Sequence, residues 1–477
     1  MARTAPSFWK APSPVGSVRN VTVLFVADGD VVLPGGTRRA NVLVRGETIE
    51  AIGPEIQAPA GAELIDASGR YVLPGIIDAH DHPVYGDRLD TMSRSAIAGG
   101  ITTLLSFFAA SAEGPAPVDQ LRAFVAEAER TAIADFGIHL SVNEAIEPAR
   151  DVPAALAAGV SSFKQFMTHP RRQAMRNDDQ ILEFFELCAA VGGLAMIHCE
   201  NAAIVDRLRA RFEVEGRRGP RDYAASRPNV SESEAVYRAC ALAAVAGCPL
   251  YLVHLSARES LEALLWHRAR ARTPLHAETA THYLTLTEDD LVRLGGLAKI
   301  SPPLRGATDR DALWDAVANG TIDVIATDGS GQTRAGKAAG GGDFFQVAFG
   351  IPGVQQLLVL AYDEGVARRK LPIERLVQVL CERPARIFGL WPRKGAVAVG
   401  ADADLVVFDP GRPLRISAAD ERGNSDYSLY EGRVCAGSPR VVIGRGEVLM
   451  RDGEIVAKPG RARFLPRGPK AARTVPA

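Results

Sequence analysis

Paired cysteines are missing from this chain of 477 residues. Its six cysteines, Cys188, Cys199, Cys240, Cys248, Cys381 and Cys435, form no C-x-x-C pair. In a chain this long that pattern reads as free thiols in a reducing cytoplasm. Charge of one sign is missing as well. The formal net charge is −1, so no global field draws the protein to nucleic acid or an anionic membrane surface. No run of about 18 apolar residues occurs, and nothing is expected to span a membrane. The opening MARTAPSFWKAPSPVG lacks an apolar core, which argues against a secretory signal. No internal repeat with a fixed period is evident. Histidine is scarce too, at nine residues, so a concentration of it in any one part of the fold is informative.

What is present is an ordinary globular balance, 47% hydrophobic and 23% charged, able to bury a large core. Residues 1–18, rich in Pro, Ser and Ala, read as an N-terminal arm. Residues 19–73 alternate short apolar strands with turn signals, and the same rhythm returns over 393–460. The two segments are expected to pair into one small β-sandwich domain built from both chain ends, followed by a basic tail over 461–477. Between them, over 74–392, apolar strands alternate with amphipathic helices. Strands are expected at Gly75–Ala79, Thr102–Phe107, Gly137–Val142, Ser162–Met167, Leu194–His198, Leu250–His254, Leu275–Glu278 and Asp323–Thr327. Helices are expected at Val118–Ala134, Asp178–Val191, Glu232–Ala246 and Arg258–Ala271. This alternation predicts an α/β fold, a (β/α)8 TIM-like barrel; a doubly wound sheet is the alternative.

The chemistry gathers around Val72–Pro83, VLPGIIDAHDHP. His80 and His82 lie two residues apart on a strand, so both rings point to one face and can reach one metal ion. Imidazole suits zinc and its neighbours. Barrel active sites lie at the C-terminal ends of the strands. There the fourth expected strand carries Lys164, the fifth ends at His198, the sixth at His254 and the eighth at Asp328. Four of the nine histidines therefore sit at strand ends. Burial of Lys164 among apolar neighbours lowers its pKa. A neutral amine can add CO2 and become a carbamate, a bridging ligand resembling a carboxylate. The alternative is a lysine that reaches solvent or pairs with a carboxylate. The histidine pairs before and after it favour the bridge.

PGIIDAHDH, FKQFM, HCEN, VHLS, ISPPLR and ATDG resemble the cyclic amidohydrolases of the amidohydrolase superfamily, in particular dihydropyrimidinase, hydantoinase and allantoinase. The likeness runs from about Val21 to Leu465 and includes EGRRGPRDYAASRP and RPARIFGLWPRKGAVAVGADADLVVFDP. It implies a hydrolase that opens the ring amide bond of a cyclic amide, imide or ureide. It also implies two divalent ions, zinc by default, with manganese or cobalt able to substitute. His80, His82 and Asp328 would hold the more buried ion, His198 and His254 the second, and carbamylated Lys164 would bridge them. In that scheme a hydroxide shared by the metals attacks the ring carbonyl, and Asp328 moves the proton to the leaving nitrogen. Such relatives are commonly dimers or tetramers, so a closed homo-oligomer is expected.

Several positions depart from the resemblance. Five residues after Lys164, where dihydropyrimidinases and hydantoinases usually carry a tyrosine that donates to the oxyanion, stands His169. Its imidazole could donate instead, or face solvent. The loop after His82 looks shorter than in hydantoinases; Tyr85 within it could touch substrate or lie on the surface. Val84 stands where a dihydroorotase would carry an arginine. Gly329 follows Asp328 where relatives have histidine, which removes a side chain from the expected pocket wall. These differences suggest a bulkier or less polar ring than dihydrouracil. Gly336–Phe345 is glycine-rich and suited to a mobile lid. The resemblance carries Ser301 over as a substrate contact. His276 and His282 read as packing residues or supports behind the ligands, whereas His139 and His267 stay unassigned. ETATHYLTLT and GIPGVQ lean toward allantoinase, which remains an alternative. A non-catalytic scaffold of the same fold is a second alternative, and the filled ligand positions count against it.

Overall fold

A computed structural model describes residues 22–84, 86–168 and 174–469. The barrel strands are β1 (Ile76–Asp81), β2 (Ile101–Ala109), β3 (Asp135–Ser141), β4 (Ser162–Phe166), β5 (Leu194–His198), β6 (Leu250–Leu252), β7 (Leu275–Ala280) and β8 (Val324–Ala326). They form one eight-stranded parallel sheet in chain order. The ring closes between its ends, where Asp81 bridges Gly329 and the His82 amide donates to the Gly329 carbonyl at 2.7 Å. Inward residues of several strands, among them Ile77, Phe107, Met196, Tyr251 and Val324, pack into one buried interior cluster, as a filled barrel requires.

Local signals explain the helices. Residues Asp178–Val191 form a helix whose Asn177 cap accepts from the Gln180 amide, with the Gln180 side chain accepting from the Asn177 amide in return. The helix stops at Gly192, which takes φ 71°. The next long helix, Asn229–Ala246, begins three residues before the expected Glu232, directly after Pro228. Arg258–Arg268 ends short of the expected Ala271, and the Arg268 guanidinium donates to the Leu275 and Thr321 carbonyls.

Strands from both chain ends form a nine-stranded mixed sheet. Its seam is an antiparallel pair, Leu405–Asp409 against Tyr71–Pro74. Side chains alternate across these central strands: Val72, Leu405 and Val407 enter a core of the sheet's own, whereas Leu73, Val406 and Phe408 join the core that surrounds the barrel. The sheet is thus fused to the barrel through one of its faces. A buried ion cluster fastens the same junction. Lys394 Nζ lies 3.0 Å from Asp135 on β3, 3.1 Å from Asp402 and 2.5 Å from Asp404.

The glycine-rich stretch expected as a lid is tied down at several points. Lys337 Nζ donates to the Lys299 carbonyl at 3.0 Å and the Ala348 carbonyl at 2.9 Å. Phe344 and Phe345 are buried, and the Phe344 amide donates to the Arg218 carbonyl at 2.9 Å.

Removing the Lys394 ammonium takes the shared cation from three carboxylates, of which Asp135 alone keeps a close second one, Arg445 at 2.9 Å, among the described residues. Lys394→Ala is expected to destabilise the fold by about 3 kcal/mol. A denaturant titration matching wild type would contradict this role of the cluster.

Candidate metal centre and active site

Four of the donor side chains, those of His80, His82, His254 and Asp328, owe their position to a specific backbone feature. Pairing between β1 and β2 slips register between Asp78 and Asp81, and with His80 inside that slip and His82 just beyond it their Nε2 atoms come within 3.2 Å of each other. The strands that lead to His254 and Asp328 stop early, at Leu252 and Ala326. His254 takes φ 40° and Asp328 takes φ 47°, conformations that L-residues rarely adopt. These turns explain why β6 and β8 are shorter than the alternation predicts.

Asp328 Oδ1 lies 3.0 Å from His80 Nε2 and 3.2 Å from His82 Nε2. This trio could hold a metal ion. Lys164 Nζ is 3.1 Å from His80 Nε2, over the Phe107 ring at 4.4 Å. On the other side His198 Nδ1 faces His254 Nε2 at 3.0 Å. Four ring nitrogens, a carboxylate and an amine therefore converge at the strand ends. His80, Lys164, His198 and His254 are all buried.

Behind the donors lie groups that sequence reasoning missed. His80 Nδ1 is 2.6 Å from Glu278 Oε1, and His198 Nε2 is 2.7 Å from Glu200 Oε2. A ring nitrogen that donates outward to a carboxylate leaves the inward one as the ligand atom. Arg227 and Ser301 both donate to Glu200, at 2.6 Å and 2.7 Å. The sequence did carry a signal for these residues. Glu200 stands two positions after His198, and Glu278 two positions after His276 in an expected strand. Asp78 ties β1 to β8, accepting from the Thr327 amide at 3.0 Å and the Thr327 hydroxyl at 2.5 Å.

The electrostatics suit cations. Burial draws the Lys164 ammonium down to about 8, against the pull of Asp328 and Glu278. Burial lowers His82 to about 4 and also lowers His198 and His254. For His80, burial and Lys164 act downward, yet Glu278 and Asp328 carry the ring up to about 9. Burial would raise Asp328, but His80, His82 and His254 hold it well below the usual carboxylate range. Imidazoles, a carboxylate and backing carboxylates fit a divalent cation of the zinc class.

The remaining expected positions fall as follows. His169 and Tyr85 lie outside the described residues. Ser301 Oγ is engaged with Glu200 and Arg227. His282 is buried at the ring of Tyr283, with no hydrogen-bond partner on Nε2 among the described residues. His139 is a core residue, bonded to Ser162 Oγ and the Ala79 carbonyl. A side chain at position 329 would not line the pocket. Its Cβ would meet Val354 Cγ2 at 2.6 Å and Thr327 Oγ1 at 2.8 Å, so Gly329 reflects close packing rather than a wider site.

Residues 71–449 match the model of the amidohydrolase family. The chain belongs to that family. This amidohydrolase is 35% identical over 459 residues to a D-hydantoinase of Ralstonia pickettii, covering 93% of this chain and 98% of the relative. It is also 35% identical to a D-phenylhydantoinase of Escherichia coli O45:K1, covering 94% and 98%. Among solved structures, the D-hydantoinase (dihydropyrimidinase) of a Thermus species superposes with a TM-score of 0.89 at 34% identity, over 94% of this chain and 99% of the other. An L-hydantoinase (dihydropyrimidinase) of Arthrobacter aurescens superposes at 0.86 with 30% identity, over 93% and 99%. The amidohydrolase is a cyclic amidohydrolase enzyme with a (β/α)8 barrel, which sets aside the scaffold alternative. Among the described residues no helix is long and apolar enough to cross a membrane.

Metal analysis of zinc-grown protein is expected to give about two ions per chain. His80→Ala and His254→Ala should each lower that number. Unchanged stoichiometry in both variants would separate these histidines from metal binding.

Proposed function

We propose that this enzyme opens hydantoins and related cyclic ureides at a binuclear site. The observation that carries the reading is the buried Lys164 amine, 3.1 Å from His80 Nε2 and close enough to depress His198 and His254 after burial has done so. Its place between the two histidine pairs supports a bridging role. The neutral amine adds CO2, forming an N–C bond and releasing one proton, and the carbamate links the two halves. Zinc is the cation that the imidazole and carboxylate donors favour.

Two bound cations would supply a polarised carbonyl and a water of lowered pKa. The chain's own residues do the rest. Asp328, beside both His80 and His82, takes the proton of the attacking water and returns it to the leaving ring nitrogen. The amide C–N bond breaks, the carbonyl carbon keeps the oxygen, and an N-carbamoyl acid leaves. Ser301, tethered to Glu200 and Arg227, orients the ring's amide face. His169 is the candidate donor to the oxyanion, and Tyr85 a candidate substrate contact. A closed homo-oligomer, dimer or tetramer, is the expected state.

The preferred ring is a 5-substituted hydantoin. Its support is the short loop after His82, the histidine at 169 and the names of the relatives, D-hydantoinase and D-phenylhydantoinase. Metal-replete protein should be assayed on dihydrouracil, hydantoin, a 5-substituted hydantoin, allantoin, succinimide and phthalimide. The substituted hydantoin is expected to turn over fastest; faster allantoin or dihydrouracil would overturn the assignment. Lys164→Ala is expected to abolish turnover, and Asp328→Asn to lower kcat by about 10²–10⁴-fold.

A further inference from the structure

We propose that Glu278 is a positioning residue shared by both halves of the donor cluster, one carboxylate that presents His80 on one side and His254 on the other. The proposal rests on the binuclear-site reading and goes beyond it, because Glu278 is not one of the donors.

Glu278 is fully buried on β7, between the strand that ends in His254 and the strand that leads to Asp328. Its Oε1 lies 2.6 Å from His80 Nδ1 and accepts from the His254 amide at 3.0 Å. Its Oε2 accepts from the Tyr251 hydroxyl at 2.8 Å, and Tyr251 is itself fully buried. Each bond has its own effect. The outward proton of His80 is fixed on Nδ1, so Nε2 faces the cluster. The His254 backbone has a partner for its amide in the left-handed turn at φ 40°, and that turn aims its ring at His198. The phenol holds the carboxylate in the one orientation that serves both.

Glu200 is the internal comparison. It backs the ring of His198 at 2.7 Å and is held by Arg227 and Ser301. These bonds lie on the His198 side of the cluster, whereas those of Glu278 reach one residue from each side. The two buried acids therefore differ in reach. Loss of the Glu200 charge should weaken one ion, whereas loss of the Glu278 charge should weaken both together. A carboxylate that only supported the fold would lower stability without this pattern.

The test is competition of zinc against a chromophoric chelator, with thermal melting of each metal-free protein alongside. Glu278→Gln keeps the side chain's shape and an oxygen facing His80 and the His254 amide, and removes the charge. It is expected to weaken both ions by about 10–100-fold, and Glu200→Gln to weaken one by a similar factor. Tyr251→Phe removes only the donor to Oε2 and should weaken both ions by a smaller factor. Release of a single ion from Glu278→Gln, or retention of both at wild-type affinity, overturns the proposal. If Glu278→Gln does not fold, Tyr251→Phe decides, and wild-type affinity at either ion overturns it. A wild-type protein that binds no zinc would instead overturn the metal-site reading itself.

Discussion

The mouth of this barrel depends on the seam where β1 meets β8. β8 is short and its ladder runs to β7, so closure falls to a few specific contacts. Asp78 accepts twice from Thr327, and the His82 amide reaches the Gly329 carbonyl. Those bonds bring the end of β1 beside Asp328, and the His80–His82–Asp328 trio is a direct consequence. Position 329 must be small for the same reason, since a side chain there would strike Val354 and Thr327. A residue that looks like a specificity determinant in the sequence is thus a condition of closing the ring.

Around that seam the polar groups are arranged in two tiers. Imidazoles face inward, and buried carboxylates stand behind them. In a dry interior such a cluster is costly unless each polar atom has a partner. Glu278 and Glu200 meet that need for the rings of His80 and His198 and fix which of their ring nitrogens points to the centre. Arg227 then offsets the charge of Glu200, and Tyr251 holds Glu278. The cluster extends well past the atoms that would touch an ion, and this explains why several strands must be positioned together.

Much of this was legible in the sequence. The eight strands and the helices between them follow from the apolar alternation, and the histidine placement pointed to His80, His82, His198 and His254. Strand ends were less legible. The early stops of β6 and β8 come from positive φ at His254 and Asp328, which no propensity announces. Glu278 and Glu200 were passed over because an acid next to a histidine reads as ordinary polarity until the fold shows that it is buried. The packing reason for Gly329 depends on Val354, which is close in space and not in sequence. The sequence pointed to a pairing of the two chain ends in one sheet, as the strand order has it. That one sheet face would share the barrel's surrounding core required the alternation of Val72, Leu73, Val406 and Val407 to be seen in place.

The central claim is that the two halves of the donor cluster are joined through Lys164. Anomalous diffraction from crystals of the zinc-replete protein tests it most directly. The account predicts two zinc peaks, one at His80, His82 and Asp328 and one at His198 and His254, with continuous density from Lys164 Nζ to a carboxylate-like group between them. A single peak, or an unmodified Lys164 amine beside two peaks, would contradict it.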